Sequence, residues 1–221
     1  MTEGRRPDEF ETVSIPPFGL AGRLRLPIGR AKGVILFAHG SGSSRLSPRN
    51  NLVADALQRA HLASLLFDLL TEDEANDRAN VFDIDLLADR LVIATDWSRN
   101  RAATGALPIG YFGASTGAAA ALAAAAKRPR AIAAIVSRGG RPDLAAGALT
   151  RVAAPTLLIV GGNDPEVLAL NRAAQRELRC ESKLAVVPGA SHLFEEPGTL
   201  EAVIALASHW FLDHLNPIGP G

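Results

Sequence analysis

A serine flanked by two glycines is the part of this sequence whose residue types and spacing best suit catalysis. Gly113, Ser115 and Gly117 are separated by single residues. An apolar strand that begins at Leu107 precedes them, and an alanine-rich run follows. A strand that turns sharply into a helix through Gly-x-Ser-x-Gly strains the serine backbone and raises its hydroxyl above the sheet. Glycine is needed on both sides because a Cβ would collide where helix and strand meet.

A serine hydroxyl is a weak nucleophile near neutral pH, so it needs a histidine base that a carboxylate orients. Two candidates follow Ser115 in that order. Asp164 comes after the predicted strand 156–160, and His192 comes after the predicted strand 183–187. Because the carboxyl ends of parallel strands meet at one edge of a sheet, we expect these side chains to converge on the serine.

Each partner has an alternative explanation. Asp164 precedes Pro165 and would also suit the start of a helix, in which case Asp143, after the preceding strand, is the alternative acid. His192 would otherwise be a loop histidine bonded to the backbone. It is nevertheless the histidine in the expected position, since the other four precede the serine or lie on the predicted C-terminal helix: His39, His61, His209 and His214.

An oxyanion formed at the substrate carbonyl needs two N–H donors. The first is the backbone N–H of Thr116, at the start of the helix after the serine. The second is expected from the glycine-rich loop that follows the strand 33–39, where the Ser41 N–H is the candidate donor. Gly40 and Gly42 on either side let this loop approach a substrate closely.

Other chemistries have weaker signals. The same loop begins like a dinucleotide fingerprint, but Arg45 stands where the third glycine belongs. The acidic cluster 72–74 has no histidine or further carboxylate at ligand spacing, so we expect no metal site and no cofactor. Cys180 does not lie in a strand-to-helix turn of the Gly-x-Ser-x-Gly kind, and no nearby histidine follows it in the order that catalysis requires. It is therefore expected to be a structural cysteine.

Five residues are candidate substrate contacts because of their places at predicted strand ends. Gly40, Leu69 and Leu70 follow the strands 33–39 and 62–68, and Arg138 and Arg141 follow the strand 131–137. The two arginines would suit an anionic group on the substrate.

The elements that must position these residues alternate between strand and helix. Strands are predicted at 11–15, 20–26, 33–39, 62–68, from 107, 131–137, 156–160 and 183–187, and helices at 48–60, 81–100, from 115 to about 128, 142–149, 165–178 and 197–215. This order predicts an α/β fold with a doubly wound, mostly parallel sheet and an N-terminal antiparallel hairpin. The helix 48–60 is expected to face inward through Leu52, Ala56 and Leu57, and 69–75 is expected to be an acidic loop.

Composition limits the class of protein. The chain has 221 residues, 48% of them hydrophobic, which suits a domain at 11–215 with a flexible N-terminus at 1–10 and a tail at 216–221. Its 23 basic and 23 acidic residues balance, so neither nucleic acid nor a membrane is an expected partner. A single cysteine and a charged N-terminus without an apolar core favour a cytoplasmic protein. The oligomeric state stays open.

The sequence resembles the α/β-hydrolase superfamily, and within it the dienelactone hydrolase-like esterases. The matching segments are His39–Gly40, 68–71, 113–117, 161–164 and 189–195. The resemblance implies a compact hydrolase that acts on small esters or lactones through an acyl-enzyme. Dienelactone hydrolases carry a cysteine at the elbow, so Ser115 favours a serine carboxylesterase instead. Between 137 and 155 there is room for one short helix only, which predicts no large cap and an open site.

The predicted activity is therefore hydrolysis of a small-molecule carboxylic ester by Ser115, His192 and Asp164. A thioesterase, an acyltransferase or a lactone hydrolase would use the same three groups. A protein of another class, a non-catalytic small-molecule receptor, would keep the fold without needing all three.

Overall fold

The computed structural model of the chain describes residues 10–215. The predicted tail at 216–221 and most of the predicted flexible segment at 1–10 lie outside the described residues. Phe10 is the exception, because it begins the first strand.

One sheet organises the described residues. Its strands are β1 Phe10–Ile15, β2 Leu20–Arg25, β3 Gly33–Ala38, β4 Leu62–Phe67, β5 Ile109–Ala114, β6 Ala134–Arg138, β7 Thr156–Gly161 and β8 Ser182–Val187. They lie in the order β1-β2-β4-β3-β5-β6-β7-β8. β2 pairs antiparallel with β1 and β4, whereas all other neighbours are parallel. The predicted fold, including the N-terminal antiparallel pair, is confirmed.

Helices cover both faces of this sheet. They are α1 Pro48–Arg59, α2 Glu72–Ala75, α3 Arg78–Phe82, α4 Ile84–Arg99, α5 Thr116–Lys127, α6 Ala146–Leu149, α7 Pro165–Glu177 and α8 Thr199–His214. α1 and α8 pack together on one face, and α4, α5, α6 and α7 follow one another on the opposite face. Within residues 10–215, no helix has the length and apolar character needed to cross a membrane.

The inward face of α1 differs from the predicted one. Leu52, expected inside, is 52% exposed, and the buried apolar residues are Val53, Ala54 and Leu57. Both choices have helical spacing, so periodicity alone does not select the face. The helix begins at Pro48, and the Ser47 side chain caps it by accepting a hydrogen bond from Asn50 N.

Two further segments depart from the prediction between β4 and β5. The expected helix 81–100 is divided by Asp83, whose extended backbone ends α3 and whose side chain caps α4 by accepting from Leu86 N. The expected acidic loop instead contains α2. Thr71 and Glu74 cap α2 reciprocally, each side chain accepting from the other's backbone N–H.

Helix α5 lies unusually close to the centre of the sheet because small residues form its surface. Every residue from 116 to 126 is buried. A Cβ added at Gly117 would lie 2.1 Å from the Ala38 oxygen, and one at Gly113 would lie 2.5 Å from Ala118 Cα. The close approach fixes the start of α5 against the ends of β3 and β5.

The connection from β6 to β7 is short. It contains only a 3-10 turn, Pro142–Ala145, followed by α6, where a single helix 142–149 was predicted. This connection therefore carries no helical cap over the carboxyl edge of the sheet.

Candidate active site

Ser115 lies at the sharp turn between β5 and α5. Its backbone has φ 53° and ψ −122°, a conformation that non-glycine residues rarely adopt. The Ser115 N–H donates to the Arg138 oxygen at 3.2 Å, and the Ser115 oxygen accepts from Arg141 N at 3.1 Å. These bonds to β6 and its following loop hold the turn, whose strained backbone was predicted from the sequence.

His192 and Asp164 meet beyond the ends of β8 and β7. His192 Nδ1 lies 2.7 Å from Asp164 Oδ2. A carboxylate only accepts hydrogen bonds, so this contact suits an imidazole that has its proton on Nδ1 and its acceptor at Nε2. Asp164 precedes α7 but makes no side-chain cap to it, so its carboxylate serves the histidine and not the helix.

The alternative acid is engaged elsewhere. Both carboxylate oxygens of Asp143 accept from the Arg141 guanidinium, at 2.9 and 2.7 Å. Of the two candidate acids, only Asp164 therefore bonds to His192.

The serine and the histidine line one cavity of about 610 Å³ at the carboxyl edge of the sheet. Among the described residues, no hydrogen bond joins Ser115 to His192. Such bonds are often long in an empty site and shorten once substrate is bound. The arrangement places a hydroxyl and an imidazole acceptor around the same space.

The glycine-rich loop after β3 approaches the serine as predicted, but its donor is engaged. A Cβ added at Gly40 would lie 3.0 Å from Ser115 Cβ, so this loop passes directly beside the nucleophile candidate. The Ser41 N–H, predicted as a free oxyanion donor, instead donates to Thr116 Oγ1 at 2.9 Å. This N–H is therefore engaged by Thr116, although Ser41 lines the cavity that contains Ser115.

Hydrogen bonds at both ends hold this loop in place. His39 Nε2 accepts from Leu69 N at 3.1 Å, and its Nδ1 donates to the Gly40 oxygen at 3.1 Å. Burial lowers the pKa of His39, which keeps the imidazole neutral and suited to this pair of bonds. At the other end, Arg45 N donates to Asp68 Oδ1 at 2.7 Å, and the Arg45 side chain also bonds to Asp68.

The positioning role of His39 did not come from sequence reasoning, which treated it only as a histidine out of order. The available signal was its place at the end of a buried strand directly before a glycine.

A second cavity, of about 410 Å³, lies on the other side of the loop 40–44. Leu69, Leu70, Val81 and Leu87 make its wall largely apolar, and Thr116 borders it. Leu69 and Leu70, predicted to surround the serine, line this cavity and not the one that contains Ser115. Gly40 lines both cavities.

The two arginines after β6 have different surroundings. Arg138 lines the serine cavity and is only 8% exposed. Burial, with a smaller contribution from the charge of Arg49, lowers its pKa to about 10. Arg141 is committed to Asp143 and lines neither cavity.

One carboxylate of the acidic cluster on α2 has clear partners. Glu74 caps α2 and pairs with Arg90. Across residues 10–215, no three histidine, cysteine, aspartate or glutamate side chains come together as a ligand set.

The fold agrees with the comparisons to known proteins. The family model for the alpha/beta hydrolase fold matches residues 33–177. The chain belongs to the α/β-hydrolase family and is dienelactone hydrolase-like.

Its relatives include a crystal structure of dienelactone hydrolase from Anabaena variabilis, 55% identical, with a TM-score of 0.90, covering 94% of this chain and 99% of that one. Est1E from Butyrivibrio proteoclasticus shares the fold with a TM-score of 0.78 at 15% identity, over 96% and 98% of the two chains. Proteins of two Mycobacterium tuberculosis strains, each named "Putative phosphoribosyl transferase", are 57% identical over 213 residues. The match covers 96% of this chain, which spans about half the length of those curated relatives.

Proposed function

We propose that the chain is a serine hydrolase that cleaves small carboxylic esters through an acyl-enzyme. One observation carries the proposal: the 2.7 Å contact between His192 and Asp164, beside the same cavity that Ser115 enters from a strained turn. A histidine oriented in this way has an acceptor nitrogen free for a serine proton.

In the proposed reaction, Ser115 Oγ attacks the ester carbonyl while His192 Nε2 takes its proton. The protonated imidazole then gives that proton to the leaving alkoxide, so that an alcohol departs and an acyl-serine remains. Water, deprotonated by the same nitrogen, attacks the acyl group and restores the serine. Asp164 keeps the required tautomer and stabilises the imidazolium at each step.

The oxyanion would be held from the start of α5. The Thr116 N–H is one proposed donor. The Thr116 hydroxyl accepts from Ser41 N and still has its own hydrogen to give, so it serves as the second donor with Ser41 behind it. This revises the expectation of a direct bond from Ser41.

The two cavities support a small substrate with two distinct parts. The leaving alcohol must lie near His192, which lines the serine cavity and not the apolar one. The acyl group then lies across the loop 40–44, against Leu69, Leu70 and Val81. The absence of a cap between β6 and β7 also favours short chains.

A lactone is the second candidate substrate, because the 55% identical structure is named a dienelactone hydrolase. Phosphoribosyl transfer, in the name of the curated relatives, belongs to proteins about twice the matched length and finds no support in a serine–histidine–carboxylate site. We place the hydrolase in the cytoplasm, an expectation that rests on its composition.

The test is turnover of p-nitrophenyl acetate and butyrate by the Ser115→Ala variant. Turnover should fall to background while the melting temperature stays within about 2 °C of wild type. Ser14→Ala, on the exposed edge strand β1, is the matched control and should retain full turnover. Retained turnover in Ser115→Ala would refute the proposal. Esters, acyl thioesters and lactones assayed side by side would then rank the substrate classes.

A further inference from the structure

The serine cavity contains a buried positive charge that the proposed mechanism does not use. Arg138 Nη1 is fully enclosed and has no hydrogen-bond partner among residues 10–215. Native proteins seldom leave a buried charged group unpaired, because the loss of its hydration is uncompensated. An unpaired buried guanidinium therefore calls for a partner that binds there.

A second arginine adds to the positive charge instead of offsetting it. Arg49 lines the same cavity, and its charge acts unfavourably on Arg138. Arg49 itself bonds to Glu195 at 2.8 Å, and the Glu195 side chain is 62% exposed at the rim. The charge of Arg49 is thus balanced from the surface, while that of Arg138 is not.

The remaining wall is equally suited to an anion. The twelve-residue helix α1 begins at this cavity, with Ser47, Pro48 and Arg49 among the lining residues. The amino end of a helix carries positive partial charge and favours anions. No aspartate or glutamate is among the described residues that line the cavity.

The position of His192 indicates which part of the substrate would carry an anion bound at Arg138. In the proposed reaction His192 protonates the leaving oxygen, and it lines the cavity that contains Arg138. The proposed function places the acyl group in the apolar cavity across the loop 40–44. An anion at Arg138 therefore lies on the alcohol part of the ester.

We infer that Arg138, supported by Arg49 and the start of α1, binds a carboxylate or phosphate group on the alcohol part of the substrate. The substrate class is an ester between a short apolar acid and a hydroxy acid or a phosphorylated alcohol. The planar guanidinium fork fits the paired oxygens of either anion. This inference rests on the proposed function, because it takes the leaving-group side from the role of His192.

The test compares esters that differ mainly in charge. Carboxymethyl butyrate carries a carboxylate on the alcohol, and isobutyl butyrate is its neutral isostere. Butyryloxymethyl phosphonate carries a phosphate-like group on the alcohol. Monoisobutyl succinate carries the carboxylate on the acyl side. Release of each acid near neutral pH gives kcat/KM.

We expect wild type to prefer an alcohol-side anion over isobutyl butyrate by at least about tenfold, the scale of one charged hydrogen bond. Arg138→Met should remove most of that preference, because the loss of kcat/KM should be larger on the ester with the alcohol-side anion than on isobutyl butyrate. Arg138→Lys should keep part of the preference. The matched control is Arg151→Met, which removes an exposed arginine from the connection between β6 and β7, outside both cavities, and it should leave both values unchanged.

Other outcomes decide against the inference. A preference for isobutyl butyrate, or equal losses on both esters in Arg138→Met, would make Arg138 structural. A preference for the succinate would overturn the alcohol-side placement. The relative rates of the carboxylate and phosphonate identify which anion the site takes.

Binding separates this inference from the proposed function. Calorimetry of carboxymethyl butyrate with Ser115→Ala, alone and combined with Arg138→Met, measures the subsite without turnover. Binding that depends on Arg138 supports the subsite even if wild type hydrolyses none of the esters. No such dependence refutes the subsite even if Ser115 proves catalytic.

Discussion

Replacing Asp164 with asparagine keeps the size of the side chain and changes only what it offers to His192. The carboxylate accepts from Nδ1 at 2.7 Å, which leaves Nε2 as an acceptor. An asparagine amide that turns its NH₂ toward the ring would donate to Nδ1 and force the proton onto Nε2. The imidazole would then be unable to take the proton of Ser115.

The expected loss combines two effects. A hydrogen bond between charged groups contributes about 1.5–3 kcal/mol, or roughly 10- to 150-fold in rate. The His192 side chain is 39% exposed and that of Asp164 14%, so solvent screens the pair and the lower half of this range applies. The wrong tautomer adds further loss, up to about ten-thousandfold in serine proteases with the same arrangement. We therefore expect kcat to fall at least about 30-fold in Asp164→Asn.

The assay is p-nitrophenyl butyrate hydrolysis, with the melting temperature as the check on folding. Asp143→Asn is the matched control, because it removes the alternative carboxylate, which bonds to Arg141 and not to His192. It should stay within about threefold of wild type. The reasoning fails if Asp164→Asn keeps more than a third of the wild-type kcat, or if both variants lose equally.

Three further predictions concern the groups around the serine. Thr116→Val should lower kcat about 10- to 100-fold and Thr116→Ser by less than about threefold, because valine removes the hydroxyl, the second proposed oxyanion donor, and leaves the backbone N–H in place. Full activity in Thr116→Val would assign the second donor to the Ser41 N–H. Gly117→Ala should lower the free energy of unfolding by about 3 kcal/mol, or Tm by roughly 6–12 °C, because its Cβ meets the Ala38 oxygen. Gly147→Ala is the control and should be neutral or slightly stabilising, since a Cβ there has nothing within 4 Å. Equal effects of the two substitutions would contradict the packing argument. In the folded chain the pKa of His39 lies below its ordinary value of 6.5. The unfolded chain therefore binds a proton at this histidine more readily than the folded chain does. The contribution of neutral His39 to folding stability is thus present above pH 6.5 and is lost as the pH falls. Tm should therefore drop more between about pH 7.5 and 5.5 in wild type than in His39→Gln. An equal drop of Tm in the two proteins would contradict this prediction.

Strand order and strand ends could be predicted from the sequence because they depend on local patterns. Continuous apolar runs such as β3 and β5 indicate buried parallel strands, and residues just after them must share one edge of the sheet. That is why Asp164 and His192 were expected to meet, and the structure brings them together.

Side-chain destinations could not be predicted in the same way, because they depend on packing between segments far apart in sequence. Leu69 and Leu70 were expected near the serine, but they line the apolar cavity on the other side of the loop 40–44, and Ser115 does not line that cavity. Arg138 and Arg141 looked equivalent, yet Asp143 engages only the second. The contact between Ser41 N and Thr116 Oγ1 likewise spans two elements that no local pattern relates.

The most direct test of the central claim is covalent labelling with a fluorophosphonate, which reacts only with an activated serine. Peptide mapping of the labelled wild-type chain should place one adduct on Ser115, and labelling should be lost in Ser115→Ala and strongly slowed in His192→Ala. A wild-type chain that hydrolyses no ester and takes up no label would contradict the proposed hydrolase and favour a non-catalytic receptor on the same fold.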